Sequence, residues 1–181
     1  MEKIIEGANL YLRYLEVSDL HRTWEWLHRY DIYSKIGVRV PFTKEQQERW
    51  FAKLQNDKTK IVFAVCREVD QSHIGNASLG MIDLHHRNAR SSIFIADMAV
   101  RGKGFGSEAL TLLERYAFSV LSLHKIWCKT DAGYHKVLRF YEKMGFRQEG
   151  LLRDHEIKGG IFVNKVIYGK LNPAEDNDEC L

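Results

Sequence analysis

Apolar and polar positions along this chain switch between two periods, and the switches mark its elements. Asn9 to Leu15 alternates as a strand does, and Ser18-Asp19 then supplies a helix N-cap ahead of Leu20, Trp24 and Leu27. Thr43-Lys44-Glu45-Gln46 fits a capping box just after Pro41, and Trp50, Phe51 and Leu54 give the next helix its apolar face. Lys60 to Val69 is β-branched and aromatic, breaks at Asp70-Gln71-Ser72, and resumes from Ile74 to Leu84 as the second arm of a hairpin. A further turn falls at His86-Arg87-Asn88, before a strand from Ser91 to Ala96.

The period then lengthens. Phe105, Ala109, Leu112, Leu113, Tyr116, Ala117 and Val120 recur at three- and four-residue steps and predict an amphipathic helix running to Leu121. His124 to Thr130 reads as a strand, Lys136 to Met144 as a helix, and Phe146 to Lys158, Gly159-Gly160 and Ile161 to Leu171 as a final hairpin. The sum is an α/β (α+β) chain with one mixed sheet. Residues 1–172 read as a single domain, and only the acidic tail, 173–181, looks detachable.

Composition narrows the class without naming a chemistry. With 181 residues, 45% of them apolar and two prolines, the chain can bury a core without disulfide or metal staples. No apolar run is long enough to span a bilayer, and Met1-Glu2-Lys3-Ile4-Ile5-Glu6 lacks the pattern of a signal peptide, so a cytoplasmic protein without membrane contact is expected. Cys66 and Cys128 sit in apolar runs and read as buried free thiols; no metal-ligand spacing is present. The formal charge is +3, but Glu175, Asp176, Asp178 and Glu179 all fall in the tail, which leaves a more basic body suited to an anionic ligand. The bases are spread along the chain rather than striped on one helix, which argues against nucleic acid.

The chemistry concentrates where the strand ending Ile93-Phe94-Ile95-Ala96-Asp97 runs through Met98 into Arg101-Gly102-Lys103-Gly104-Phe105-Gly106 and the long helix. Glycines let consecutive backbone N–H groups converge, a helix N-terminus adds unsatisfied donors, and Arg101 and Lys103 add charge; together these suit a phosphate. The P-loop pattern is absent, and the glycines are out of register for a dinucleotide fingerprint. A plain glycine-rich turn is the alternative.

The segment 101–106 resembles the R/Q-x-x-G-x-G/A pyrophosphate loop of the GCN5-related N-acetyltransferases (GNAT). Phe140-Tyr141-Glu142-Lys143-Met144-Gly145-Phe146 is similar to the same superfamily's Y-E-K-x-G-F signature. Glu149-Gly150-Leu151-Leu152-Arg153 and the turn near Gly159 resemble the branch holding ribosomal-protein N-terminal, spermidine and nucleotide-amino-sugar acetyltransferases. The resemblance implies the GNAT fold: a twisted, mostly antiparallel sheet with one splayed parallel pair and about four flanking helices. It implies acetyl-CoA as co-substrate, its pantetheine paired with backbone at Ala96, Asp97 and Met98, and its pyrophosphate held by Arg101, Gly102, Lys103, Gly104, Phe105, Gly106 and Ser107. Tyr141 resembles the family's general acid, with core packing as the plain alternative for a tyrosine on an apolar helix. Where the family often has asparagine, this chain has Tyr134, which is expected to contact the cofactor instead. A homodimer through the edge strands near the last hairpin is compatible with the family.

Asp83 and His85, with His86 beside them, end a strand expected to face the acceptor cleft and are the base candidates; Asp97 is another, and solvent is a third route for the proton. The acceptor wall is expected from Trp24, Trp26, Tyr33, Arg39, Phe42 and Trp50. Aromatics with arginine suit a nucleotide-linked amino sugar, whereas 30–44 offers Asp31 alone against Lys35, Arg39 and Lys44, which argues against a polyamine. A peptide N-terminus fits an open groove, and a non-catalytic acetyl-CoA sensor is the rival from another class.

Overall fold

The alternating segments become neighbours in one eight-stranded sheet. Its strands are β1 (Ile5–Glu6), β2 (Leu10–Tyr14), β3 (Ile61–Arg67), β4 (His73–Asp83), β5 (Asn88–Ile95), β6 (Lys125–Asp131), β7 (Arg147–Lys158) and β8 (Ile161–Leu171). They lie in the order β1-β2-β3-β4-β5-β6-β8-β7, and every pair is antiparallel except β5 with β6. The computed structural model describes residues 2–36, 43–100 and 102–175. Arg39, Phe42 and Arg101 therefore lie outside the described residues, as does the tail beyond 175.

Five helices accompany the sheet: α1 (Leu20–Leu27), α2 (Tyr30–Ile36), α3 (Lys44–Leu54), α4 (Phe105–Arg115) and α5 (His135–Lys143). One face of the sheet packs against α4 and α5 through Leu12, Phe63, Ile74, Leu110, Leu113, Ile126 and Tyr168, which form the main core. On the other face, Phe51 of α3 and Leu20 of α1 close a smaller core over Tyr11, Val62 and Ala64. The expected capping box of α3 is present: the Gln46 amide donates to Thr43 Oγ1 at 3.2 Å and the Thr43 amide to Gln46 Oε1 at 2.7 Å. Cys66 and Cys128 are free and buried.

Local expectation gives way to tertiary contacts at three places. The helix predicted to Leu121 stays α-helical only to Arg115 and then widens into a π turn over Tyr116–Val120, with the Leu121 amide donating to the Tyr116 carbonyl at 3.1 Å. That turn leaves the Tyr116 ring 4.8 Å from Phe63 and its hydroxyl 3.4 Å from that of Tyr14. The root of the tail is not detached, since Glu175 pairs with Arg87 at 2.6 Å and His124 at 3.1 Å. Among the described residues no helix is long and apolar enough to cross a membrane, and no cluster of His, Cys, Asp and Glu could hold a metal ion.

The third is the start of α1. Asp19 occupies its N-cap position but makes no side-chain bond to α1. Its carboxylate turns inward, where Arg13 of β2 donates to both oxygens at 2.6 and 2.8 Å, the Glu16 amide donates at 2.9 Å, and His73 Nδ1 stands 3.1 Å away. The other ring nitrogen of His73 is 2.7 Å from Asn76 Oδ1. All four side chains are buried. This network fastens α1 to the ends of β2 and β4, and α1 forms one wall of the site below.

Burial alone would raise the Asp19 carboxyl, but hydrogen bonds from Arg13, from His73 and from the Glu16 amide hold it far below the usual carboxylate range. A carboxyl depressed in the folded state stabilises above its unfolded value of about 4, and that contribution is lost as pH falls through the lower folded value. Asp19→Asn leaves the Arg13 charge buried and unpaired, so a loss of about 3–5 kcal/mol of unfolding free energy is expected at pH 7. Urea denaturation at pH 7 and pH 2 checks this: the difference between wild type and variant should shrink at the lower pH.

Candidate active site

The sheet opens between its two parallel strands. β5 and β6 pair only at Asn88 with Lys125, Ala89 with Ile126 and Arg90 with Trp127. Just beyond, the Ser91 hydroxyl donates to the Trp127 carbonyl at 3.3 Å. β5 nevertheless stays with β4 as far as Ile95 opposite Gly75, and β6 stays with β8 as far as Asp131 opposite Lys165. Each strand follows its antiparallel neighbour, so a gap widens between their C-terminal halves.

The β4 ladder decides which backbone groups face that gap. The Ala96 amide donates to the Ile74 carbonyl at 2.8 Å, so the two-residue alternation turns Phe94 and Ser92 toward β4 and the backbone of Ile93 toward β6. Of the segment expected to meet pantetheine, Ala96 has both backbone groups engaged, because its carbonyl also accepts from Arg29 Nη1 at 3.1 Å. The Asp97 carboxylate is used locally: its Oδ1 accepts from the Ala99 amide at 2.9 Å and caps the short turn at Met98–Val100. Met98 is exposed.

At the mouth of the gap stands the N-terminus of α4. Gly102 and Gly104 have φ of +80° and +86°, a conformation that L side chains rarely adopt, and a Cβ at either would meet nothing within 4 Å. The loop is thus bent by glycine and open on its outer side, a cradle that suits a diphosphate. A Cβ at Gly106 would come within 3.9 Å of the Phe140 ring, so this glycine keeps open the groove between α4 and α5. Glu108, an acid in the first turn of α4, is turned away to accept from the Asn9 and Leu10 amides at 2.7 and 3.0 Å. Lys103 and Phe105 line a cleft with Asn9 and Arg67, and Ser107 lies in the first turn of α4.

Tyr141 projects from α5 at the closed end of the gap and is 8% exposed. Its ring centroid is 5.3 Å from Phe140, 5.2 Å from Phe146 and 6.1 Å from Tyr168. The phenol faces the Cys128 thiol of β6. Burial, then the neighbouring Cys128, push the phenol far above its usual range, while Arg90 opposes the shift. Burial also pushes the Cys128 thiol up to about 12.

The other base and wall candidates scatter. Asp83 pairs with Asn88, two residues before Arg90, where β5 and β6 begin to part, so it stands about 7 Å along the strand from the closed end of the gap at ~3.3 Å per residue. Asp83 accepts there from the His86 amide and pairs with its ring nitrogen, both at 2.8 Å, and the His85 ring stacks edge-on against His86 at 4.7 Å. Asp83 and His85 belong to this turn, with β5 between them and β6, and the Asp83 carboxylate is engaged within the turn by His86. Tyr134 stands at the N-cap of α5 with the Lys158 ammonium 5.2 Å above its ring. Of the tryptophans, Trp26 meets Phe94 at 6.2 Å beside the gap. Trp24 stacks on His28, Trp50 packs on the smaller core, and Tyr33 meets Tyr30 at 5.4 Å. Sequence reasoning missed Arg29, Arg90 and the thiol partner of Tyr141. An arginine on a strand's polar face looks like any solvated arginine until the neighbouring strand is known.

This geometry agrees with what the chain is similar to. Residues 9–147 match the acetyltransferase (GNAT) domain family. The probable N-acetyltransferase YjcK of Bacillus subtilis (strain 168) is 30% identical over 189 residues, covering 96% of this chain and 99% of that protein. The spermidine N(1)-acetyltransferase of Escherichia coli (strain K12) is 29% identical over 161 residues, 86% of this chain and 82% of that one. Among solved structures, spermidine N-acetyltransferase from Vibrio cholerae in complex with CoA and spermine superposes with a TM-score of 0.86 at 27% identity, covering 91% of this chain and 96% of that one. The parted strands, the glycine cradle and the family match agree, and the chain belongs to the GNAT acetyltransferases, enzymes that carry an acetyl group from acetyl-CoA to an amine nitrogen.

Proposed function

We propose that this chain acetylates a primary amine directly within the gap between β5 and β6, with Tyr141 as the proton donor. The observation that carries the reading is the Tyr141 phenol, buried at the closed end of the gap beside the Cys128 thiol. When bound, acetyl-CoA supplies the acetyl group as a thioester and departs as a thiol. The amides around Gly102, Gly104 and Ser107, with Lys103 nearby, would hold its diphosphate, and the backbone of Ile93 would pair with its pantetheine.

Tyr141 holds its proton at every ordinary pH, because its phenol lies far above 10. A free thiol titrates near ~8.5, which alone makes a phenol a reluctant donor to a thiolate. The pocket changes that comparison, since the thiol it already contains, Cys128, is pushed up to about 12 by burial. A thiolate formed in the same dry surroundings is correspondingly basic, so Tyr141 meets an acceptor of comparable strength. A sensor without turnover would gain nothing from a phenol kept protonated in this way. No base is assigned, since the Asp83 carboxylate is taken up by His86 in its own turn; the amine arrives deprotonated from solvent.

Tyr141→Phe keeps the packing and removes the proton. A fall of about 100-fold in kcat is expected in thiol-release assays, with the affinity for acetyl-CoA within about twofold of wild type by calorimetry. Unchanged kcat would end the assignment. Gly104→Ala forces a side chain into the left-handed region at a cost of about 1–2 kcal/mol, and so distorts the cradle. Acetyl-CoA affinity should drop at least tenfold by calorimetry, while the circular dichroism spectrum stays that of the folded protein.

A further inference from the structure

The face of the sheet opposite α4 carries a set of charges that the transfer chemistry does not use. α1 and α3 pack on this face over β2 to β5. Beyond them, strand register places Arg90 of β5, Trp127, Lys129 and Asp131 of β6, Lys165 of β8 and Glu156 and Lys158 of β7 on one side. Their contacts agree with the register. Asp131 pairs with Lys165 and, at 2.7 Å, with Lys158; Glu156 pairs with Lys165 at 2.6 Å and Lys129 at 3.2 Å. Lys125 pairs with Glu149 at 2.7 Å on the same side, so three carboxylates face four ammonium groups, and Asp131 and Glu156 are each doubly paired.

Arg90 stands apart from that network. It is the last residue of β5 in register with β6, so it marks the point where the gap begins. Its guanidinium lies over the Trp127 ring, 6.0 Å from the centroid. Its Nε is buried without a hydrogen-bond partner, and among the described residues it makes no ion pair. Its charge is nevertheless felt by both the Tyr141 phenol and the Cys128 thiol, each of which it lowers, so it lies close to the reacting end of the gap. A planar donor held on an aromatic ring, short of hydrogen bonds and beside an excess of ammonium groups, is matched by a carboxylate or a phosphate. A second ammonium group gains nothing from Arg90 itself.

Building on the N-acetyltransferase reading, we propose that Arg90 selects the acceptor, a primary amine that also carries an anionic group, carboxylate or phosphate, which docks on the Arg90 guanidinium while the amine faces Tyr141. This separates the chain from its polyamine-acetylating relatives in the kind of acceptor it prefers. Asp31, which pairs with Arg29 at 3.0 Å, and the doubly paired Asp131 and Glu156 leave this side of the gap with little to offer a polycation.

Matched amines test the proposal: putrescine against ornithine, which adds a carboxylate, and glucosamine against glucosamine 6-phosphate, with spermidine alongside. The anionic member of at least one pair should show a kcat/KM at least tenfold higher, and the responding pair tells carboxylate from phosphate. In Arg90→Gln that ratio should collapse to about twofold through the KM of the anionic member; Arg90→Lys should keep most of it. Calorimetric titration of the anionic amines into CoA-saturated protein reads the same preference without turnover, and Arg90→Gln should abolish it. Preference for spermidine or for the members without an anionic group, an unchanged ratio in Arg90→Gln, or an equal fall in kcat for both members would each overturn the proposal. Failure of acetyl-CoA itself to bind would instead count against the transferase reading, and calorimetry with acetyl-CoA alone shows it separately.

Discussion

A hydrogen-bond ladder that stops after three residue pairs organises this molecule. β5 and β6 run parallel from Asn88 to Arg90 and then part, because each is held along its whole length by an antiparallel neighbour heading a different way. The β4 side is unyielding: a Cβ at Gly75 would lie 2.1 Å from the Phe94 carbonyl oxygen, so the two backbones are already at closest approach. The β8 side is tied by seven consecutive register pairs and by Asp131 with Lys165. Parallel strands are usually buried and continuous. Here the interruption leaves strand backbone without a strand to pair with, and an extended ligand chain can complete it.

The helices give that gap two unlike ends. α4 brings glycine-bent backbone and a positive helix end to its mouth, and Glu108, which would spoil the end for an anion, is spent on tying down β2. α5 brings an aromatic plug to the other end, and its phenol faces a thiol in a dry site. The same burial that raises Cys128 to about 12 sets the basicity of any thiolate released beside it. Fold and chemistry are coupled through the local dielectric more than through any single hydrogen bond.

The two faces of the sheet divide the labour. The α4 and α5 face is apolar and closes over the core; the opposite face is charged between β5 and β7 and roofed only in part by α1. α1 and the turn after it reach the gap with Trp26 and Arg29, and α1 is held there by the buried Arg13, Asp19 and His73 network. A charge cluster remote in sequence from every catalytic motif therefore sets the position of the acceptor wall.

Periodicity and glycine placement carried much of this in the one-dimensional chain. The strands, the α3 capping box, the start of α4, the buried thiols and the loop from Gly102 to Ser107 depend on residues close in sequence, whose spacing encodes local geometry directly. The family resemblance rested on these same local motifs. Registers, faces and charges across strands depend on partners distant in sequence, and only the folded chain decided them. His86 took up the Asp83 carboxylate within their turn, Arg29 took the carbonyl of Ala96, and Lys158 came to lie over the Tyr134 ring. Arg13 drew Asp19 from its expected cap, and Arg90 became the unpaired charge at the gap's root. A polar side chain is cheap to place almost anywhere on a strand, so its position in sequence says little; which strand lies beside it determines whether it is solvated, paired or left facing a ligand.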